Sequence, residues 1–292
     1  MENLRISVCI TIFNEKKETI KKLISALNNQ TLKPNEIIII DAKDYDNCSR
    51  SKGRNIAIRK AKNEIIAITD AGCIPHKDWL AEITRPYTEV AIGTHSRGGI
   101  VVAGAYKMIA INNFEKACSV FLGINSKNIE ADFMPSARSM AFTKSIWKKA
   151  GGFPEKLRGT AEDTVFNINL LKSGAQFVTA KNAIVDWQMP TTIYDFGFKI
   201  YRYAKGDAES GIWWHPVKKL KTHNLKIMTI FARYVFGLWL FVIGCYDYLS
   251  IYLILYLSFA FLKAKWWGIL LQLTADIAGI IGFSHGILQT SS

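Results

Sequence analysis

Cysteine is scarce and unpatterned in this chain: Cys9, Cys48, Cys73, Cys118 and Cys245 form an odd set without Cys-x-x-Cys spacing. That excludes a disulfide framework and a cysteine zinc site, and fits a domain kept reduced in the cytosol. His76, His95, His215, His223 and His285 share no metal-ligand spacing and read as ordinary residues. The net charge is +13, yet no basic cluster with interleaved aromatics appears, so nucleic acid is not an expected partner. The N-terminus lacks the long apolar core of a signal peptide. Internal repeats and low-complexity segments are also absent. Charge is nearly missing from Ile227 to Phe283, where only Arg233, Asp247, Lys263, Lys265 and Asp276 interrupt the apolar residues.

No soluble core helix needs that much apolar length. With 292 residues and 49% hydrophobic content, the chain reads as a globular domain with a membrane-associated tail. Segments of about 227–246, 248–262 and 266–283 are the candidate helices, the first and third long enough to span a bilayer and the middle one short. Lys218, Lys219, Lys221 and Lys226 crowd just before the tail, as juxtamembrane base facing the cytoplasm does. From Thr192 to Ala204, Phe196, Phe198, Ile200, Tyr201 and Tyr203 mix with Lys199 and Arg202, the pattern of a helix lying in a membrane interface. The expected divisions are 1–190 for the globular domain, 191–225 for an amphipathic basic linker and 226–292 for two or three membrane helices. Arg233 and Asp276 sit in apolar surroundings, where ionisable groups are costly and usually paired, snorkelling or functional.

The globular part alternates strands with helices. Leu4 to Phe13 reads as a first strand, followed by Thr19, Ile20, Leu23, Ile24 and Leu27 at helical spacing with Asn14 available as N-cap. Glu36 to Ile40 is a second strand ending at Asp41, Ser51 to Lys62 a helix, and Glu64 to Asp70 an apolar run that stops at a carboxylate and a tight turn. Acids at the ends of successive parallel strands mark the ligand-binding edge of an α/β sheet. Beyond Asp70 the order turns mixed. Trp79 to Tyr87 and Asn112 to Leu122 look helical, and 100–105 and 139–142 look like strands. Gly151-Gly152-Phe153 reads as a turn, Glu162 to Lys172 as a helix, and 176–179 and 183–187 as two closing strands.

The run Ile6-Ser7-Val8-Cys9-Ile10-Thr11-Ile12-Phe13-Asn14-Glu15, then Asp41, Gly53-Arg54-Asn55, Asp70-Ala71-Gly72-Cys73 and Glu162-Asp163 resembles glycosyltransferase family 2, the inverting nucleotide-sugar enzymes of the GT-A fold. The pieces fall in family order from residue 4 to about 187. The resemblance implies a Rossmann-like α/β nucleotide-binding domain with a mixed sheet. It further implies that Thr11, Phe13 and Glu15 line the nucleotide pocket, that Asp41 hydrogen-bonds the base, and that Arg54 lies near base or diphosphate. Asp accepts paired N–H or O–H donors and Arg supplies a forked cation for phosphate. The bland alternatives are a loop-capping acid for Asp41 and a surface ion pair for Arg54.

Asp70 corresponds to the first acid of the family's Asp-x-Asp metal motif, for Mg²⁺ or Mn²⁺, with Gly72 in place of the second, as in a membrane-linked subgroup with Asp-Ala-Gly-Cys. Asp186 stands where many members carry a metal-supporting His, and offers either a replacement oxygen ligand or a plain strand-end acid. A thiolate suits neither ion, so Cys73 reads as packing. Asp163 is the implied general base and Glu162 an acceptor-orienting residue; the bland reading is two acids complementing a helix dipole. Arg202 and Lys205, in an aromatic-Arg-Tyr-x-x-Gly-Asp helix resembling the same subgroup, offer contacts at the membrane face or a solvated basic stripe.

The expected function is transfer of one sugar from a UDP- or GDP-linked donor to a lipid-linked saccharide by a membrane-anchored enzyme whose catalytic domain faces the cytoplasm, with homo-oligomers open. Alternatives are a polyprenyl-phosphate glycosyl synthase, whose ionised acceptor needs Asp163 less, and a catalytically silent nucleotide-binding scaffold, for which Gly72 argues. A nucleotidyltransferase is disfavoured because no Gly-rich basic loop follows the first strand.

Overall fold

Apolar β-branched residues dominate the first strands, and the two central ones, Ile6–Ile12 and Ile65–Ile68, are buried along most of their length, as parallel strands covered on both faces are. In the computed structural model, which describes residues 4–89, 99–123, 133–157, 160–213 and 224–290, β1 (Ile6–Ile12) lies between β2 (Glu36–Asp41) and β3 (Ile65–Ile68), parallel to both. Helices α1 (Lys17–Asn28) and α2 (Arg50–Lys60) make the crossovers. The seven-stranded sheet runs β2-β1-β3-β6-β5-β7-β4, with β4 (Cys73–Pro75), β5 (Ile100–Ile109), β6 (Met140–Thr143) and β7 (Gln176–Gln188). β6 pairs antiparallel with β3 and β5, and β4 antiparallel with β7. The sheet is therefore mixed, as expected.

The remaining helices are α3 (Trp79–Glu89), α4 (Asn113–Leu122), α5 (Lys144–Lys149), α6 (Glu162–Lys172), α7 (Ile193–Ser210), α8 (Leu225–Val242) and α9 (Tyr246–Thr290). Several expectations need correction. The two closing strands are one long β7, bent where its register with β5 shifts at Gly104/Ala105; a bulge of this kind interrupts alternation and mimics a strand end. β3 stops at Ile68, so Asp70 lies in the following turn. Asn14 is not a helix cap, because α1 begins three residues later after Lys16. The short β4 and α5 left too little periodicity to read.

The chain divides into two compact units: Met1–Ile109 with Ile124–Arg158 and Glu162–Gln188, and Ala110–Gly123 with Gly159–Ala161 and Met189–Ser292. In the first, Phe142, Phe153 and Phe166 form an aromatic core behind α6, with Phe153 and Phe166 ring centroids 4.0 Å apart. In the second, α8 and α9 are long and apolar enough to cross a membrane. α9 is broken at Ala264 and Lys265, whose backbone angles are non-helical, so the second and third apolar segments are two arms meeting at Lys263–Lys265. The basic run Lys218, Lys219 and Lys221 lies outside the described residues, as do Arg158, Gly159, His95, His215 and His223.

The two charges within the apolar helices, Arg233 and Asp276, meet. Asp276, with a side chain 1% exposed, holds Arg233 Nη2 at 2.7 Å. Arg233 Nε and Nη2 make no aligned hydrogen bond among the described residues, so this contact is charge pairing. The carboxylate also accepts from Tyr256 OH at 2.7 Å, Tyr234 OH at 3.2 Å and Gln272 Nε2 at 2.8 Å, tying α8 to both arms of α9. Asp276→Leu leaves a cation without its counter-charge, and detergent-held protein is expected to lose about 3–5 kcal/mol. The double variant Asp276→Leu/Arg233→Met should lose far less; equal losses would show that the ion pair is not the cause.

Candidate active site

Parallel strands end together, so the residues after β1, β2 and β3 share one edge of the sheet. In register, Ile12 faces Asp41 and Cys9 faces Ile68, which brings Thr11, Phe13, Asp41 and Asp70 to that edge. α2 approaches β1 closely there: a Cβ on Gly53 would sit 2.3 Å from Thr11 Cγ2. Only glycine permits that approach, and it seats the next residue, Arg54, under the site.

Arg54 is 6% exposed. Nη2 bonds Asp70 Oδ1 and Nη1 bonds Glu162 Oε1, each at 2.7 Å, and the guanidinium lies 5.4 Å from the Phe153 ring centroid. One buried cation thus joins the acid after β3 to the acid opening α6, residues 92 positions apart in sequence (162 − 70). Although burial raises the Asp70 carboxyl, the Arg54 guanidinium, helped by Arg138 and Arg50, outweighs it and holds the carboxyl below its ordinary value. With one bond from each Nη group, Arg54 ties the two acids together, and its remaining N–H donors leave it able to meet a phosphate as well.

Asp163 follows Glu162 in the first turn of α6, and its Oδ1 accepts from Thr164 N at 2.9 Å. Desolvation pushes its carboxyl up from the ordinary value, and the neighbouring Glu162 pushes it further, against the pull of Arg138 and Arg54. A carboxyl raised this way is more basic than an ordinary one, as perturbed groups in functional sites often are. Immediately before the pair, Ala161 has φ 136°, a conformation costing of order 1–3 kcal/mol for a residue with a Cβ. α6 begins at the next residue, Glu162.

The other residues singled out in the sequence take varied places. Glu15 Oε2 accepts from Phe13 N at 2.7 Å and Asn14 N at 3.1 Å, organising the loop after β1. Phe13 carries Arg50 at 5.9 Å from its ring centroid. Asp41 Oδ1 accepts from Lys43 N at 3.0 Å, capping a short 3₁₀ turn at Ala42–Asp44. Asp186 Oδ1 is 2.8 Å from His76 Nε2, a partnership that no sequence spacing announced, since strand pairing of β4 with β7 creates it. Arg202 and Lys205 lie on α7 in the second unit, where Lys205 Nζ is 3.6 Å from Glu209 and the Arg202 carbonyl accepts from Thr160 Oγ1. Among the described residues no three His, Cys, Asp or Glu side chains form a metal-holding group.

Sequence reasoning gave no role to two further residues, Asn55 and Arg138. Asn55 accepts from Trp147 Nε1 at 3.1 Å and Phe153 N at 2.9 Å, and donates to Phe153 O at 2.9 Å and Glu155 Oε1 at 2.8 Å. It clamps the turn at Gly151-Gly152, whose φ values of 81° and 75° favour glycine. Arg138 packs over Trp187 and Tyr106 with its charge acting on Asp70 and Asp163. A lone Arg before a short strand carries no motif, and its partners come from β5 and β7.

Comparison with known proteins bears on this geometry. The family described as Glycosyl transferase family group 2 matches residues 65–277, and that described as Glycosyl transferase family 2 matches residues 7–50. Among solved structures, the mannosyltransferase PcManGT from Pyrobaculum calidifontis, in complex with GDP-Man and Mn²⁺, is similar at TM-score 0.62 and 14% identity, over 94% of this chain and 87% of that one. TarS 1–349 of S. aureus, in complex with UDP, is similar at TM-score 0.47 and 17% identity, over 70% of this chain and 65% of that one. GalNAc-T7 with UDP, GalNAc and Mn²⁺ is similar at TM-score 0.47 and 16% identity, over 72% of this chain and 52% of that one. The chain thus spans about two thirds of the TarS segment it matches. A search of the curated proteins found no match.

Proposed function

Since the chain belongs to glycosyltransferase family 2 and has the α/β fold of GT-A enzymes, we propose that it is a membrane-anchored inverting enzyme that moves a sugar from a UDP- or GDP-linked donor to a hydroxyl of a lipid-linked acceptor. The observation that carries this reading is the Arg54 tie, which sets a donor-side acid, Asp70, and an acceptor-side pair, Glu162 and Asp163, in one site. The acceptor hydroxyl attacks the anomeric carbon while Asp163 takes its proton, and the carbon–oxygen bond to the diphosphate breaks with the electron pair leaving on phosphate. Glu162, held by Arg54, is fixed beside the base.

The donor set at Asp70 fits a hard divalent cation. Its side chain is 36% exposed, with Oδ1 on Arg54, and a Cβ at Gly72 would meet nothing within 4 Å, leaving room for diphosphate oxygens and water of the kind Mg²⁺ and Mn²⁺ keep. Such an ion would neutralise charge on the departing diphosphate. Asp186, engaged by His76, is the weaker ligand candidate. The apolar helices α8 and α9 support the anchor, and the basic residues flanking them in sequence support a catalytic unit on the cytoplasmic side.

The test is release of nucleoside diphosphate by detergent-held protein, screened over nucleotide sugars with Mg²⁺ or Mn²⁺ and a membrane-lipid extract. Metal-dependent release from one donor is expected, and Asp70→Ala should weaken metal-dependent donor binding roughly tenfold or more. Nucleotide binding without release from any donor would replace the transferase with a silent scaffold.

A further inference from the structure

The charge of Arg54 is shared by two acids and Gly72 stands where the metal motif would carry a second carboxylate, so the charge that develops on a departing diphosphate calls for another fixed cation. Arg138 has the required placement. It sits in the tight turn before β6, where Ser139 N bonds Ser136 O at 2.9 Å and Arg138 Nη1 donates to Ser136 Oγ at 2.9 Å. Ser139 Oγ accepts from Trp79 Nε1 at 2.9 Å and donates to Ala183 O at 3.0 Å, so the turn is anchored to α3 and β7.

The guanidinium itself lies 4.0 Å from the Trp187 ring centroid and 5.3 Å from that of Tyr106. The two rings are edge to face at 5.7 Å and form a two-walled aromatic seat. An aromatic face holds the flat side of a guanidinium and leaves its N–H edge in the plane, the geometry that pairs with phosphate oxygens. Its charge is felt by both Asp70 and Asp163. Trp187 pairs with Cys73 across β4 and β7, and Cys73 N bonds the Asp70 carbonyl at 3.0 Å, so the seat is built onto the turn that carries Asp70.

We infer that Arg138, seated on Trp187 and Tyr106, is a diphosphate-binding residue that grips the donor's distal phosphate and stabilises it as the leaving group. This rests on the transferase reading above for its catalytic half alone. As the bond between the anomeric carbon and the phosphate oxygen breaks, the added negative charge falls on phosphate, where a cation held on an aromatic seat stabilises it.

The experiment is calorimetric binding of UDP, UMP, GDP and GMP to full-length detergent-held protein, wild type against Arg138→Gln and Arg138→Lys, with thermal melts of each. Arg138→Gln is expected to lower affinity for the diphosphate that wild type prefers roughly ten- to a hundredfold and to leave the matching monophosphate within about twofold. Arg138→Lys should recover part of the loss, because it restores charge without the flat fork. Equal losses for di- and monophosphate, no loss, or a wild type that binds neither diphosphate would overturn the assignment. A Gln variant that melts early leaves the decision to the Lys variant under the same criterion. Discrimination that survives in a protein releasing no nucleoside diphosphate from any donor would uphold the phosphate site and sink the transferase reading.

Discussion

Asp163→Asn is expected to reduce transfer to a hydroxyl acceptor about 10²- to 10⁴-fold, the usual contribution of a positioned base, while nucleotide binding stays near wild type. Asn keeps the side chain's shape and its ability to accept from Thr164 N, the contact Asp163 makes at 2.9 Å, so the loss isolates proton acceptance. Product formation and nucleotide binding, measured on the same preparation, check it. Turnover that survives with an ionised phosphate acceptor and fails with a hydroxyl one would favour the polyprenyl-phosphate alternative; unchanged turnover with both would remove the base assignment.

The same residue dictates a pH dependence. Desolvation and then Glu162 raise the Asp163 carboxyl, so the acid limb of activity should lie above the range of an ordinary carboxylate. For stability the sign is opposite to the usual Asp. A raised folded-state value contributes stability below the unfolded value and loses it as pH rises through the folded one. At neutral pH the charged form is therefore a cost, and Asp163→Asn should melt no lower than wild type, the trade expected where activity demands an uncomfortable charge.

Arg54→Leu should be the most destabilising single change in the globular unit, costing about 3–5 kcal/mol. Its side chain is 7% exposed and that of Glu162 8%, so removing the cation strands a buried acid beside a second one at Asp70. Urea unfolding of wild type and variant across pH gives a sharper reading than one melt. In wild type the lowered Asp70 value adds stability above its unfolded value, and this is lost as pH falls through the folded one. In the variant, acidification neutralises the stranded charge, so its deficit should shrink toward low pH. A deficit that is constant with pH would assign the loss to packing over Phe153 instead.

Sequence carried the fold far because its strands and helices have strong periodicities and because acids and glycines mark the ends of parallel strands. β2 starts where expected, and α6 has its expected bounds. The family order of Asp41, Arg54, Asp70 and Glu162-Asp163 singled out residues that the fold then gathers. Local signals failed where structure depends on pairing. The bulge at Gly104/Ala105 made one strand look like two, and β4 is three residues long and exists through its ladder with β7. Asn14, a good cap by residue type, caps nothing because α1 starts only at Lys17, after Lys16.

Chain chemistry alone therefore determined the layered α/β domain and the apolar tail, since burial and backbone periodicity are written residue by residue, while the resemblance to the family picked out which carboxylates were worth attention. Tertiary packing decided the partners: Arg54 between Asp70 and Glu162, Arg233 with Asp276, His76 with Asp186, and Arg138 on Trp187 and Tyr106. Each joins residues far apart in sequence, and a charge's partner is set by distance in space, which no local pattern encodes.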